Sequence, residues 1–338
     1  MRYQCQHCED GPTTQEKYIW CAKGGKVTQQ MENYLMRCVI NSTITDAAKK
    51  EAIGYRELSG IINRRVNRSI NWEDYRDLHT LGIDEISLLK GHNNFITIVS
   101  TKDKNGELSV IAVLKDRKQE TLKAFFNTIP ERLKKTVKHV CTDMHDGFVY
   151  PAIEVFGKQM VVIDRFHVAK LYRQPLDKLR IKEMARLKIA LSAINYAELE
   201  GMMWILRKQH ECLTEADKSK LTLLYKHSPI LKEAHSYALR LTLIFNTHSD
   251  RKSGMAKIER WINCVERSEL TCFNSFLKSL KKYKVSIANY FNGRYSSGFV
   301  EGLNNKVKVL KRRCYGIFKT DSLFQRLVLD LRGYALFS

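Results

Sequence analysis

Residues 81–115, "LGIDEISLLKGHNNFITIVSTKDKNGELSVIAVLK", contain three short runs of apolar and β-branched residues separated by polar turn residues. The runs are "GIDEISLLK", "NFITIVSTK" and "LSVIAVLK", and they are joined at "GHN" and "DKNGE". Short apolar runs with brief polar connections are typical of consecutive antiparallel strands. This stretch therefore predicts a three-stranded antiparallel meander.

The chain after the meander alternates between helical and strand patterns. The predicted elements are a helix over 117–129, a strand over 136–143 ("TVKHVCTD"), a helix over 145–156 ("HDGFVYPAIEVF") and a strand over 158–168 ("KQMVVIDRFHV"). Three antiparallel strands followed by helix, strand, helix and strand form the element order of the ribonuclease H-like fold. We therefore predict an α/β fold, with a mixed five-stranded sheet and flanking helices, whose first part spans residues 79–169.

Residues 170–290 have a different composition, rich in Lys, Leu, Arg and Glu, and contain only Pro175 and Pro229 as prolines. Their pattern predicts an all-helical insertion, after which residues 291–338 return to the core with a final helix. That helix begins in "GFVEGLNNKVKVLKRRCYGIF" (298–318). Its predicted apolar face consists of Leu303, Val307, Leu310 and Cys314, and a second face carries Glu301, Asn305, Lys308 and Arg312. A solvated face with surface salt bridges is one interpretation of the second set.

Three carboxylates occupy informative positions in this layout. Asp84 lies in the first strand of the meander, Asp143 ends the fourth strand, and Glu301 lies near the start of the final helix. The first and fourth strands are neighbours in a ribonuclease H-like sheet, so Asp84 and Asp143 could converge, and the helix could supply a third ligand. Asp164, at the end of the fifth strand, is the alternative ligand. Clustered carboxylates favour hard divalent cations, and two such ions can support phosphoryl transfer.

The net charge indicates a polyanionic partner. There are 57 Lys and Arg residues against 36 Asp and Glu residues, which gives +21 and a pI near 9.6. Nucleic acid is favoured over a membrane surface because we find no basic amphipathic anchor and no lipidation motif.

The chain has neither an apolar run long enough to span a membrane nor a signal-peptide pattern. We expect a soluble, cytoplasmic protein with reduced thiols, associated with the nucleoid when bound to DNA.

Residues 41–78 predict a helix-turn-helix region. One helix is expected from Thr45 or Asp46 to about Ala52, and a second from about Tyr55 to Asn67, with Gly54 in the turn. The second helix has an apolar stripe of Leu58, Ile61, Ile62 and Val66. Its candidate DNA-binding residues are Arg56, Asn63, Arg64, Arg65 and Arg68. An ordinary helical hairpin is the alternative interpretation.

Residues 1–40 carry a Cys-x-x-Cys pair, Cys5 and Cys8, which is half of a tetrahedral zinc site. Cys21, and more distantly His7 or Cys38, are the residues available to complete it. Free thiols, or the remnant of a truncated zinc module, are the alternatives.

Four segments together resemble the transposases of the ISL-three group of bacterial insertion sequences. They are "LGIDEISLLKGHNNFITIV", "CTDMHDGF", "VVIDRFHVAK" and "GFVEGLNNKVKVLKRRCYGIF", and the resemblance extends over essentially the whole chain. It implies a DDE-type enzyme with a ribonuclease H-like core and two Mg²⁺ or Mn²⁺ ions, which nicks transposon ends and joins the freed 3′-hydroxyl to target DNA. Matching motif to motif, the resemblance implies that Asp84, Asp143 and Glu301 are the catalytic and metal-binding residues.

The resemblance also assigns supporting roles and partners. Asp164 and His167 of the "DRFH" motif are expected to support the site, and Asn304 and Asn305 to orient it or contact DNA. The phosphate-binding residues expected on the final helix are Lys306, Lys308, Lys311, Arg312 and Arg313. The expected partners are the terminal inverted repeats, target DNA and at least one further copy of the chain, since two ends must be brought together.

The family's zinc module ordinarily begins with an additional Cys-x-x-Cys pair before the one found here, so only half of the module is expected and the start of the chain is expected to be truncated or misassigned. Two further functions fit the same residues. A transposase relic could act as a non-catalytic repressor, and a nuclease on the same fold could cut specific DNA structures without strand transfer.

Overall fold

A computed structural model describes residues 2–8, 10–11, 13–15, 19–22, 25–87, 95–295, 298–317 and 319–338. The chain divides into two compact units. We call Met1–Arg76, Glu85–Asp116 and Val300–Ser338 the terminal unit, and Asp77–Asp84 with Arg117–Phe299 the central unit. No helix in the described ranges is long and apolar enough to cross a membrane.

The strands are β1 (Arg2–Gln4), β2 (Thr13–Gln15), β3 (Thr80–Ser87), β4 (Phe95–Lys102), β5 (Leu108–Leu114), β6 (His139–Thr142) and β7 (Val161–Ile163). The helices are α1 (Gln29–Val39), α2 (Ile44–Lys50), α3 (Tyr55–Arg65), α4 (Gln119–Thr128), α5 (Glu131–Lys134), α6 (Asp146–Phe156), α7 (Arg165–Ala190), α8 (Ala193–Ala197), α9 (Met202–Ile205), α10 (Glu215–His227), α11 (Pro229–Asn246), α12 (Arg251–Glu266), α13 (Asn274–Ala288), α14 (Gly298–Arg313) and α15 (Thr320–Leu336). Short 3₁₀ turns occur at Trp72–Asp74, His210–Cys212 and Asn289–Phe291.

The main sheet has five strands in the order β5-β4-β3-β6-β7, and β1 pairs with β2 separately. β4 and β5 are antiparallel, with an irregularity between Val99 and Ser100, whereas β6 is parallel to both β3 and β7. This confirms the predicted mixed five-stranded sheet. The predicted "GHN" turn of residues 91–93 lies outside the described residues. The prediction of a strand through residue 168 is wrong, because Asp164 caps a helix that begins at Arg165.

One core of the terminal unit lies between the sheet and the last two helices. Side chains from the end of β3 and from β4, β5, α14 and α15 form a buried apolar cluster. Leu303, Val307 and Leu310 of the predicted apolar face are buried in it, and Cys314 packs against it half-buried. α14 therefore uses the predicted face for packing, which leaves Glu301 on an exposed face. The prediction that it is the final helix is wrong, because α15 follows it.

A second core of the terminal unit joins α1, α2 and α3 to the end of α15. The predicted stripe of Leu58, Ile61, Ile62 and Val66 is buried in it. The predicted start of the first helix is wrong, because the cap is Thr43, whose hydroxyl accepts a hydrogen bond from the Asp46 N–H at 2.9 Å. Whether α2 and α3 act as a DNA-binding helix-turn-helix stays a prediction.

Residues 165–288 of the central unit are helical over most of their length, as their composition predicts. Buried aromatic contacts hold these helices together, including Trp261 edge-on to Phe273 and Phe276. The Asn289 amide donates to the backbone oxygens of Lys158, at 2.9 Å, and Val161, at 2.8 Å. The end of the helical segment is thereby tied to the start of β7.

Candidate active site and nucleic-acid interface

The parallel pairing of β3 with β6 determines where the first two predicted ligands lie. Thr80 pairs with His139, Leu81 with Val140 and Gly82 with Cys141. Asp84 is two residues beyond Gly82, and Asp143 is two residues beyond Cys141. Neighbouring strands lie about 4.8 Å apart, and residues two positions apart share a face. Extending the register therefore puts both carboxylates side by side on one face of the sheet, with Asp84 inside β3 and Asp143 directly after the end of β6. Both side chains are half-buried.

Asp164 occupies the equivalent place on the next strand. β6 and β7 pair with Val140 opposite Val161 and Thr142 opposite Ile163, and the Asp164 N–H donates to the Thr142 oxygen at 3.3 Å. Its carboxylate is 5% exposed and accepts a hydrogen bond from the Phe166 N–H at 2.9 Å. Asp164 thus holds the first turn of α7, in which His167 lies half-buried. This geometry agrees with a supporting role for the "DRFH" motif.

The segment after Asp143 is fixed by contacts from a distant helix. Asp146 begins α6, and its carboxylate accepts hydrogen bonds from the Tyr283 hydroxyl and the Lys282 ammonium of α13, both at 2.5 Å. Although burial opposes the effect, these hydrogen bonds lower the pKa of Asp146. Burial, and then the hydrogen bond to Asp146, raise the pKa of Tyr283, and the charge of Asp143 adds to this increase. The helical segment therefore braces the loop that carries Asp143.

A close backbone approach fixes the same loop from the other side. The His145 ring accepts a hydrogen bond from the Gly147 N–H at 3.1 Å and caps α6. A Cβ atom added to Gly147 would lie 2.5 Å from the Arg117 carbonyl oxygen. The small residue is therefore required in the first turn of α6, four residues beyond the predicted ligand Asp143.

Glu301 lies in the first turn of α14 with its side chain exposed. It belongs to the terminal unit, whereas Asp84 and Asp143 belong to the central unit. In the part of the chain that the structure describes, no group of three or more His, Cys, Asp and Glu side chains forms a metal site. The aspartate pair alone offers the oxygen donors that Mg²⁺ and Mn²⁺ prefer, and the convergence of Glu301 with it stays a prediction.

The cations predicted on α14 divide into two groups. Lys306 donates to the Asp330 backbone oxygen, Arg313 pairs with the Asp330 carboxylate, and Lys311 donates to the Ser87 oxygen. Burial lowers the pKa of Lys311. These three side chains hold α14 against α15 and the end of β3. Lys308 and Arg312 are exposed, as is Asn305, whereas Asn304 is half-buried.

The cations predicted on α3 divide in the same way. Glu32 of α1 is fully buried and pairs with Arg64 at 2.6 Å and Arg65 at 3.4 Å, and Arg65 also donates to Asn33. Arg64 and Arg65 therefore anchor α3 to α1. The remaining candidates, Arg56, Asn63 and Arg68, are exposed, and Arg68 donates to the Asn63 side chain at 3.2 Å.

At the amino terminus, the Cys5 and Cys8 sulfurs lie 3.2 Å apart. The hydrogen bond between them, followed by backbone hydrogen bonds, lowers the pKa of Cys5. The third nearby thiol, Cys21, lies 3.3 Å from the Val27 backbone oxygen. Zinc binding by these residues stays a prediction.

Comparison with known proteins identifies the family to which the chain belongs. The family model of ISL3-type DDE transposases, described as "Transposase", matches residues 81–327. The chain belongs to this transposase family. It is 25% identical to the transposase for insertion sequence element IS1001 of Bordetella parapertussis, over 99% of this chain and 80% of that protein. It is also 25% identical to the transposase for IS1557 of Mycobacterium tuberculosis, over 83% of this chain and 67% of the relative.

A solved structure supports the fold of this transposase family member. The Drosophila P element transposase strand transfer complex matches with a TM-score of 0.51, over 92% of this chain and 94% of that chain. The two sequences are 10% identical, so the likeness concerns the fold alone.

Sequence reasoning missed the brace formed by Lys282 and Tyr283 on Asp146. The contact joins residues 137 positions apart in the case of Tyr283, and no local pattern in "KSLKKYKVS" separates these two side chains from their polar neighbours. Tyr283 shares a helix face with the buried Leu280 and Ile287, so the sequence pattern indicates a core aromatic rather than a hydrogen-bond donor to a distant loop.

We predict that Tyr283→Phe lowers the DNA-cleavage rate of the transposase by about 10-fold or more, because small displacements of reacting groups are costly. DNA affinity should be unchanged, since the hydroxyl braces the Asp143 loop. Tyr237→Phe is the matched control, because it removes a hydroxyl that donates to the Cys264 backbone oxygen at 3.2 Å elsewhere in the central unit. Single-turnover nicking and fluorescence anisotropy measure the two properties. Equal cleavage rates for both variants would contradict the bracing role.

Proposed function

We propose that the chain is the transposase of an insertion sequence, which binds the terminal inverted repeats of its element and catalyses metal-dependent cleavage and strand transfer. The observation that carries this proposal is the β3–β6 register, which brings Asp84 and Asp143 to the same position on adjacent parallel strands. Two half-buried carboxylates at this spacing repel each other unless a cation lies between them. Membership of the transposase family and the strand order of the sheet also support the proposed function.

The residues that would hold the metal are Asp84, Asp143 and Glu301. When bound, two Mg²⁺ or Mn²⁺ ions supply an activated attacking oxygen and stabilise the leaving oxygen of an in-line displacement. The protein itself supplies the rigid frame. The sheet fixes the strand ends, Asp164 holds the start of α7, and the Tyr283 hydrogen bond to Asp146 keeps the loop after β6 in place.

The proposed reaction has two displacements at phosphorus. In the first, water attacks a phosphodiester at the element end, and the bond to the 3′-oxygen breaks to leave a free 3′-hydroxyl. In the second, that hydroxyl attacks a target phosphodiester, a new P–O bond forms and the target's own 3′-oxygen leaves. No bond energy is lost in the second step, so no external energy source is required.

The charge distribution supports DNA as the substrate. The chain carries a net charge of +21. Its exposed predicted contacts are Arg56 and Asn63 on α3, Arg68 three residues after the end of α3, and Lys308 and Arg312 on α14. We assign end recognition to α2 and α3, and backbone contacts near the cut to α14. Since two ends are joined in one event, we expect a dimer or larger assembly on DNA.

Two other functions are separable from this proposal. A relic acting as a repressor would shift element-end DNA in a gel without nicking it in Mn²⁺. A structure-specific nuclease would cut without requiring element ends and would yield no strand-transfer product. Nothing in the described structure favours either over the transposase.

We predict that Asp84→Asn, Asp143→Asn and Glu301→Gln each reduce Mn²⁺-dependent nicking of an element-end duplex by at least about 100-fold. Each change keeps the side-chain size and removes a charged metal ligand, so DNA affinity should hold or rise slightly. Glu120→Gln, at an exposed position in the first turn of α4, is the matched control. Normal nicking by Glu301→Gln would remove Glu301 from the ligand set. Normal nicking by both aspartate variants would refute the proposed active site.

We predict that substitution of the exposed arginines Arg56 and Arg68 impairs DNA binding, whereas substitution of the anchoring arginine Arg64 impairs stability. Arg56→Ala or Arg68→Ala should weaken DNA binding and reduce the slope of log affinity against log salt by about 1, with little change in stability. Arg64→Ala should instead lower the free energy of unfolding by about 1–3 kcal/mol, because it deprives the buried Glu32 carboxylate of its shorter ion pair. Salt-dependent anisotropy and urea unfolding distinguish the two effects. The opposite assignment of phenotypes would show that α3 meets DNA through another face.

A further inference from the structure

A groove of the terminal unit includes two of the proposed DNA contacts, Asn63 and Arg68, but the rest of its lining has no role in the function described so far. It encloses about 730 Å³ between α2, α3, the turn that follows α14 and the start of α15. We call it the turn groove. Its charged lining residues are the cations Lys49, Arg68, Lys319 and Arg326 and the acids Asp46 and Asp321. The balance of four cations against two acids makes the groove suited to an anion.

The lining includes a buried guanidinium with unused donors. Arg326 is 4% exposed, and its Nη2 donates to the backbone oxygens of Val39, at 3.2 Å, and Ser42, at 2.5 Å. Its Nε and Nη1 have no hydrogen-bond partner in the part of the chain that the structure describes. The nearest carboxylate, Asp330, is 3.9 Å away and already accepts from Arg313 and from the Asn41 N–H.

Burial without full hydrogen bonding is unfavourable for a charged group. Arginine carries five N–H donors in a planar fork, which matches phosphate oxygens well. Because Asp330 is occupied and the neighbouring backbone oxygens reach only Nη2, the remaining donors of Arg326 are suited to an oxygen ligand supplied from the groove.

An exposed aromatic residue stands in the same lining. Tyr315 is 94% exposed and has a φ of 52°, in the left-handed region that bulky residues rarely adopt. Gly316 follows with a φ of 102°, and its N–H donates to the Lys311 oxygen at 2.9 Å to close the turn. A strained turn that exposes a whole aromatic ring is typical of a binding position. Aromatic rings of this kind stack on nucleotides.

We propose that the turn groove binds a backbone phosphate of DNA, with Arg326 in its floor, Lys319 and Arg68 in its walls and Tyr315 against the adjoining nucleotide. This inference rests on the proposed function, because it requires DNA as the ligand. The groove would add to that function a binding site for a DNA phosphate, formed jointly by α3 and the turn after α14, which we call the anchor.

The anchor has a geometric consequence for the site. Glu301 and Tyr315 are separated by 14 positions along α14 and its closing turn, which corresponds to about 21 Å at 1.5 Å per residue. That length spans roughly six base pairs at 3.4 Å each. DNA held in the turn groove would therefore contact one end of the helix whose other end carries Glu301, and the contacted phosphate is expected within about six base pairs of the cut.

The test uses the full chain and a fluorescein-labelled element-end duplex. Tyr315→Ala should weaken binding by about 5- to 100-fold, the range for loss of one aromatic–base stack. Lys319→Ala should reduce the salt slope by about 1. Tyr334→Ala, which removes another exposed aromatic of the terminal unit, is the control and should bind like the unmodified protein. Melting temperatures of all three variants should match, since neither Tyr315 nor Tyr334 is buried.

Arg326→Lys provides the second measurement. This change keeps the charge but loses the planar N–H donors, so the variant should bind the ordinary duplex more weakly than the unmodified protein does. A duplex with a neutral methylphosphonate at the contacted position should bind the Lys variant and the unmodified protein equally. If Arg326→Lys fails to fold, the DNA binding of Tyr315→Ala and Lys319→Ala still tests whether the groove binds DNA.

The outcomes separate this inference from the function on which it rests. Loss of binding in Arg56→Ala, with unchanged binding in Tyr315→Ala and Lys319→Ala, overturns the groove as a DNA site and leaves the transposase proposal intact. Absence of DNA binding by the unmodified protein overturns both. Capture of a polyglutamate peptide that depends on Tyr315, with DNA binding unchanged, overturns the DNA assignment in favour of an acidic protein partner.

Discussion

The parallel hydrogen-bonded pairing of β3 with β6 is the constraint on which the candidate site depends. It sets the register that brings Asp84 and Asp143 together from positions 59 residues apart. Two carboxylates side by side on neighbouring strands repel each other, which destabilises the fold unless a cation or hydrogen-bond donors offset the repulsion. Backbone hydrogen bonds of the sheet hold the two aspartates in this register.

The surrounding contacts preserve that register. Asp164 uses its carboxylate to start α7 directly after β7, and Asp146 is held by a hydroxyl and an ammonium from α13. Asn289 ties the end of the same helical segment to β7. The helices between β7 and α14 thus act on the sheet edge as a support, a role that their basic, Leu-rich composition does not reveal.

Much of the sheet could be predicted from the sequence, because alternating apolar runs and turn residues are local signals. Asp84 and Asp143 could be selected as candidates for the same reason, since a carboxylate within an apolar strand and one that ends a strand are both visible in the pattern. The division of the basic residues into exposed side chains and side chains that anchor helices could not be predicted from the sequence. Arg64 and Lys311 look like surface cations in sequence, yet a buried Glu32 in one case and the Ser87 oxygen in the other engage them. Such partners come from distant segments, and helical periodicity carries no information about them.

We propose that Asp84 and Asp143 hold a divalent cation between the adjacent strands β3 and β6. Anomalous diffraction at the manganese edge, from crystals of the full chain with an element-end duplex and Mn²⁺, tests this binding most directly. We expect an anomalous peak within about 2.2 Å of a carboxylate oxygen from each aspartate, which is lost in Asp143→Asn. A peak bound elsewhere, with both aspartates free of metal while DNA occupies the protein, would contradict it.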